Sequence, residues 1–423
     1  MKTKLISILL ALVIFLPSCS DSKGDEPKGC EDEGWLPYES LDVSRSEREI
    51  ISQQNDFSYN LFKKLYEKPA YQQGNFILSP LSASMSLSMM ANGAKGETRD
   101  EILDVLGFED ANLEEVNTFN KRLCEELAKV DRTSKISLAN SIWINKDFPV
   151  YESFISDNQE AYGAEIFNEE LWTENTRQAI NAWASDKTNG LIPGVLNKPL
   201  DPRTMIFLMN ALYFKGKWGK TFDKSLTAQG DFHNADGTVS HPMMMNGRDY
   251  SYFACYDDEG ASWLNISFGN GAYELMVILP DEGVSLKDYL AGVTKEEFFV
   301  MYDNNIWKSY DGDLVFPIFE INSEFYLDDI MKELGIKKAF STQNADFSLI
   351  SQEKTAISKI KQDARIIFDE EGAELSSTVD MSGWASMPLP LPVVDLKIDR
   401  PFAFMLRENS FRSILFMGCV NKL

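Results

Sequence analysis

The chain has 423 residues, 44% of them hydrophobic and 25% charged, with a net charge of −24. That balance fits one large or two ordinary globular domains, and the acidity excludes nucleic acid as a partner, because an acidic field repels phosphates. Five cysteines, widely spaced and without a CxxC pair, imply neither a disulfide framework nor a zinc site.

The chain opens MKTKLISILLALVIFLPSCS. Lys2 and Lys4 give a positive start, and residues 5–16 form an apolar run too short to cross a bilayer, as in a secretory leader. Leu16-Pro17-Ser18-Cys19 resembles the bacterial lipoprotein cleavage box. The resemblance implies a signal peptide over residues 1–18 and a lipid-bearing N-terminus at Cys19, with acyl chains as the only membrane anchor. The acidic tract that follows resembles surface-export signals of Gram-negative lipoproteins. It implies lipid anchoring to the outer membrane of the bacterial cell envelope, with the domain at the surface or extracellular. Residues 19–44 read as a flexible acidic tether that leads into a single domain over 45–423.

Helices come first. Residues 47–67 are amphipathic, with Ile50, Phe57, Leu61 and Leu65 at helical spacing. Ser79 suits an N-cap and Pro80 the first helical position of a second helix, stopped at Asn92-Gly93. Residues 97–106, 112–130 and 174–188 read as further helices, and 135–145 as a strand. From Arg203 strands dominate. Residues 204–214 form the continuous apolar run of a central strand, and 262–268 with 273–279 form a hairpin across Gly269-Asn270-Gly271. Residues 313–321 and 355–368 read as strands, with a helix over 326–334 stopped by Gly335 between them. Segments 401–406 and 413–420 form a final pair.

No enzyme motif is present. His233 and His241 are the only histidines and stand beside no recognisable nucleophile. GxSxG, HExxH and P-loop patterns are absent, so no catalytic activity, cofactor or metal is expected.

Residues 75–98 (NFILSPLSASMSLSMMANGAKGET) resemble the helix signature of the serpin family. So do Asn210-Ala-Leu-Tyr-Phe-Lys-Gly-Lys-Trp218 running on to Phe222, and His241-Pro-Met-Met. Leu334-Gly-Ile336 with Phe340, Asp399-Arg-Pro-Phe402 and Leu415-Phe-Met-Gly418 complete a set of six in the family's order. The resemblance implies an α+β serpin fold with three β-sheets, eight or nine helices and an exposed reactive-centre loop, here about residues 372–392. It implies a central strand over 357–371, a hinge at Glu370, Glu371 and Gly372, a polar shutter of Ser79, Ser82, Asn210 and Gln362, and Trp218 at the breach. Gln362 stands where the family has His; an amide still donates and accepts. The implied function is irreversible, suicide-type inhibition of a serine protease by a monomer. The protease is acylated at the loop, and the cleaved loop inserts as an extra strand of the large sheet.

The residues of that loop have the pattern of an inserting strand. Ala373, Leu375, Ser377, Val379 and Met381 are small or apolar, whereas Glu374, Ser376, Thr378 and Asp380 between them are polar. Leu375 stands where the family usually has Ala, a larger group for the sheet to accept. The family's count from Glu370 places the reactive bond at Ser386-Met387. The count back from Pro401 falls on Pro390, so the loop is about four residues longer than the common pattern, and Trp384 and Ala385 are neighbouring candidates. With no Arg or Lys nearby, elastase-like or subtilisin-like targets are expected rather than trypsin-like ones. The alternatives are a non-inhibitory serpin-fold binding or substrate protein, and an inhibitor of papain-like cysteine proteases.

Overall fold

The computed structural model of the protein describes residues 38–108, 112–257, 260–303, 307–372 and 392–423. Cys19 and the loop residues Ala373 to Met387 lie outside the described residues.

Among the described residues there are nine α-helices. They are α1 (Arg45–Tyr66), α2 (Pro80–Gly93), α3 (Glu97–Leu106), α4 (Leu113–Leu127), α5 (Glu152–Tyr162), α6 (Glu174–Lys187), α7 (Leu286–Gly292), α8 (Lys295–Tyr302) and α9 (Asp328–Leu334). The strands are β1 (Phe76–Leu78), β2 (Lys135–Asn145), β3 (Glu165–Glu169), β4 (Ile206–Lys215), β5 (Ala228–Gln229), β6 (Phe232–His233), β7 (Val239–Ser240) and β8 (Met243–Tyr256). They continue with β9 (Ala261–Phe268), β10 (Tyr273–Pro280), β11 (Lys308–Pro317), β12 (Phe319–Tyr326), β13 (Lys361–Phe368), β14 (Leu396–Lys397), β15 (Phe402–Glu408) and β16 (Ile414–Val420).

One sheet runs β1-β16-β15-β10-β9-β8-β11-β14, with β5 beside β8. Its β15 and β16 are buried along their whole length, which accounts for their unbroken apolar sequence. Helix α2 is also buried almost all round, as a helix enclosed by a large core must be. Ser79 caps it, accepting from the Ser82 N–H at 3.2 Å. A second sheet has the order β3-β2-β4, and β12 pairs with β13 alone.

Two expected strands are corrected. The run 313–321 is not one strand: it divides at Ile318, whose N–H donates to the Met243 carbonyl, so β11 and β12 join different ladders. The expected central strand over 355–368, or 357–371, begins only at Lys361. Ile357 gives its N–H to Ala339 and Ile360 its carbonyl to Leu327, which commits that backbone outside the sheet. At the other end the strand stops at Phe368, because residues 369–372 turn back on themselves. Residues 38–44, placed in the tether by composition, are anchored: Tyr38 Oη and the Leu41 N–H both meet Ser410 Oγ, at 2.6 and 2.9 Å, and Val43 is buried. No helix of the described residues is long and apolar enough to cross a membrane.

The loop's C-terminal foot is fixed to β11. Asp311 donates its N–H to Pro392 and accepts from Val394, and β14 pairs in parallel with Leu314 and Val315. Gly312 makes this approach possible, since a Cβ there would lie 2.0 Å from the Val394 carbonyl oxygen. Gly312→Ala is expected to lift the foot off β11 at a cost of about 1–3 kcal/mol, read as a lower thermal midpoint and faster limited proteolysis around residues 392–397.

Candidate functional site at the divided sheet

The strands β4 and β13 are the inner edges of two separate ladders. β4 pairs on its far side with β2, and β13 with β12; no ladder joins β4 to β13. Among the described residues neither inner edge has a ladder partner; an edge strand is where a further strand can pair.

The top of the division is closed by the hinge. Asp369 and Gly372 exchange backbone hydrogen bonds of 3.0 and 3.2 Å, which makes residues 369–372 a tight turn at the end of β13. Gly372 in turn forms a bridge with Lys217, just past β4. The N–H groups of Trp218 and Phe222 donate to the carbonyls of Glu371 and Glu370, at 3.2 and 3.1 Å. Gly372 has φ +121, and a Cβ there would meet the Gly216 carbonyl oxygen at 2.2 Å; only glycine fits this conformation and this closeness.

Trp218 holds the hinge from below. Its ring stacks between Phe268 (4.6 Å) and Phe368 (5.7 Å), and its indole N–H donates to the Asp369 carbonyl at 2.7 Å. The Lys224 ammonium pairs with the Glu371 carboxylate. Burial raises the Asp369 carboxyl above the usual range, and the charges of Glu371 and Glu370 add to this, opposed by the Glu371 N–H on its Oδ1 and by Lys224.

Lower down, Gln362 makes two hydrogen bonds to one residue. Its Oε1 accepts from the Ser79 N–H at 3.0 Å and its Nε2 donates to the Ser79 carbonyl at 2.7 Å. Ser79 Oγ donates to Leu415. The structure thus joins Ser79, Ser82 and Gln362. Among the described residues no hydrogen bond links Asn210 to this group; its Nδ2 donates to Asn140 Oδ1 at 2.6 Å. Asn210 and Asn140 are register partners of β4 and β2, so the strand pairing places the two amides together.

The outward face of β13 carries residues not singled out from the sequence. Lys361 pairs with Asp363 (2.9 Å) and Glu324 (3.2 Å) and donates to the Val195 carbonyl. Arg365 pairs with Glu320 and donates to the Leu191 carbonyl at 2.9 Å. The segment after α6 is thereby tied to β13. The alternation Lys361-x-Asp363-x-Arg365 was the only available signal, and it names no long-range partner.

The chain matches the family described as Serpin (serine protease inhibitor) over residues 52–423. It is 32% identical to Serpin A3-1 of Bos taurus over 377 residues, 88% of each chain. It is 29% identical to leukocyte elastase inhibitor A of Rattus norvegicus over 381 residues, 88% of this chain and 99% of that one. The native state of tengpin, a thermophilic serpin, superposes with a TM-score of 0.78 at 28% identity, covering 92% and 97% of the two chains. The fold, with its divided sheet and glycine hinge, is a serpin fold, and the chain belongs to the serpin family. That family is one of protease inhibitors, and the chain is not an enzyme.

Two substitutions test this geometry. Gln362→Ala leaves the buried Ser79 N–H without its acceptor, while the Ser79 carbonyl keeps only the Ala83 N–H; an expected loss of about 1–3 kcal/mol is checked by chemical denaturation. Asp369→Asn keeps the acceptor for the Glu371 N–H and removes the charge. Because the folded carboxyl is raised, its ionisation destabilises the fold as pH rises from the unfolded value of about 3.9 through the folded one. The variant is expected to be more stable than wild type at neutral pH, with the difference closing below about pH 4, measured as thermal midpoint against pH.

Proposed function

We propose that the protein is an irreversible, suicide-type inhibitor of serine proteases. The observation that carries this reading is that β4 and β13, which share no ladder among the described residues, are bridged by a hinge that leads directly into a segment patterned as a strand. The protease serine attacks the Ser386 carbonyl, the amine of Met387 leaves, and an ester joins the loop to the enzyme. The freed segment then enters the division as an antiparallel strand and carries the acyl-enzyme with it before water completes hydrolysis.

The turn at the hinge fixes the register of that entry. Extending the antiparallel Asp369-Gly372 bridge sets Ala373 opposite Phe368, Leu375 opposite Ile366, Ser377 opposite Ala364 and Val379 opposite Gln362. These four partners are the buried residues of β13. The small and apolar side chains of the segment thus fall on the buried face without a slip. Burial of Leu375 and Val379 contributes roughly 1.5–3 kcal/mol each, and each new backbone hydrogen bond about 0.5–1.5 kcal/mol.

The target reading is an elastase-like or subtilisin-like protease. The small residues around Ser386 support it, as does the similarity to a leukocyte elastase inhibitor. The leader and Cys19 support lipid anchoring of this inhibitor at the cell envelope.

Incubation with an elastase and with a subtilisin is expected to give a covalent complex on a denaturing gel, and a released peptide that begins at Met387. Clean cleavage with no complex and no gain in thermal stability overturns the reading. Ala373→Arg places a charge opposite Phe368 and is expected to convert the inhibitor into a substrate, with at least about a tenfold rise in the number of inhibitor molecules consumed per protease trapped; about 1.4 kcal/mol of added insertion barrier suffices for that.

A further inference from the structure

Beside the loop's C-terminal foot lies a sheet face with an unusual composition. Ser251 of β8, Asp311 of β11 and Val393, bridged to Asp311 ahead of β14, stand in one row, and Phe253 follows in the next row opposite Ser309. Residues paired in this way share one face of the sheet, and the 2.8 Å hydrogen bond from Ser251 Oγ to Asp311 Oδ1 agrees. On the other side of this row the backbone links Asp249, Asp313 and Asp395: the Asp249 N–H donates to Asp313 Oδ1 at 3.3 Å and the Asp313 N–H to Asp395 Oδ1 at 2.8 Å.

Two features set this face apart. Phe253 is 49% and Val393 77% exposed, side chains that a solvent-facing sheet does not need. None of the four carboxylates is in an ion pair among the described residues, and the cations at adjoining positions, Arg248 and Lys308, are two against four. Lys220 and Lys397 are committed to the Arg248 and Asp249 carbonyls and to Asp399. An acidic surface with apolar anchors complements a basic, partly apolar one. Val393 also follows directly on the loop, so whatever grips the loop is brought against this face.

From this we infer that the face formed by Phe253, Asp311, Asp313, Val393 and Asp395 is a second docking surface for the trapped protease, and that it selects proteases with a cationic rim around the active-site cleft. The inference rests on the trapping reading for its partner. Its contribution is to encounter: attraction over this face speeds association and leaves the later insertion step unchanged.

The test uses the full chain, the triple variant Asp311→Asn/Asp313→Asn/Asp395→Asn and, separately, Phe253→Ser. Asn retains the oxygen that accepts the Asp313 N–H. Two proteases are compared: a basic elastase of high isoelectric point and an acidic subtilisin-type enzyme. With the basic enzyme the second-order rate of complex formation is expected to fall about tenfold in the triple variant at low salt, with the stoichiometry of inhibition unchanged. The wild-type rate is expected to fall toward that of the variant between about 50 and about 300 mM salt. With the acidic enzyme the variant is expected to equal or exceed wild type. Equal rates for wild type and variant with the basic enzyme, or a wild-type rate insensitive to salt, overturn the inference.

Docking is also measured without trapping. Equilibrium binding of the basic elastase, with its nucleophilic serine replaced by alanine, is expected to weaken in the triple variant and in Phe253→Ser. If no covalent complex forms but this binding shows the difference, the trapping reading fails and the docking face stands. If complexes form and the binding shows no difference, the docking inference fails alone.

Discussion

The structure turns on a few hydrogen bonds at one point, where the Asp369–Gly372 turn meets the backbone after β4. The bridge from Gly372 to Lys217, the donations from Trp218 and Phe222 to the hinge carbonyls, and the indole bond to Asp369 together close the top of a sheet that is otherwise in two parts. Every element of the site follows from this closure. It needs a glycine, because the Gly216 carbonyl occupies the space of a side chain. It needs a flat aromatic platform, supplied by Trp218 between Phe268 and Phe368. It also sets the direction in which the chain leaves β13, and hence the register open to any strand that follows.

A divided sheet carries a cost. Edges without ladder partners are aggregation-prone and incompletely satisfied, and a fold retains them only where other contacts offset the loss. Here the offset is spread over both faces. On the buried face Gln362 ties β13 to the cap of α2 through both its amide atoms. On the outward face Lys361 and Arg365 hold the segment after α6 by its carbonyls. These contacts hold β13 in place without a ladder to β4 among the described residues.

Much of this was legible in the sequence, and the parts that were not share a cause. The bounds of α3 and β2 agree with their periodicity, and the caps of α2 were readable as Ser79-Pro80 and Gly93. Thr294-x-x-Glu297 is a capping box that marks α8 and was readable too, although the short α7 and α8 were passed over. The missed boundaries of β13 and of β11 against β12 were set by hydrogen bonds to distant carbonyls, those of Ala339 and Met243, which no local pattern reports. The same holds for the site. Ser79 and Gln362, 283 positions apart, were placed together through family resemblance alone. Asn210 was assigned with them, yet its side chain follows its strand's own partner, Asn140.

The outward contacts bear on the order of events in the proposed insertion. In that proposed insertion, extending the Asp369–Gly372 bridge would set Asp380 opposite Lys361 on the outward face and Ser376 opposite Arg365. The Lys361 ammonium is now shared among Asp363, Glu324 and the Val195 carbonyl. A carboxylate is a stronger acceptor for an ammonium than a carbonyl is, so the arrival of Asp380 competes with Val195 for the same cation. The strap after α6 would then lose its tie at Val195 as the strand passes Lys361, and keep its tie from Arg365 to the Leu191 carbonyl. Insertion in this scheme begins where the hinge fixes the register, proceeds with Leu375 against Ile366, and exchanges the Lys361 contact last. The demand on Leu375 is correspondingly strict: it must enter while the strap is still tied, against a pocket lined by a residue that is already buried. In the proposed insertion a side chain larger than the family's usual alanine at that point would slow the early stage while adding to the stability of the end state.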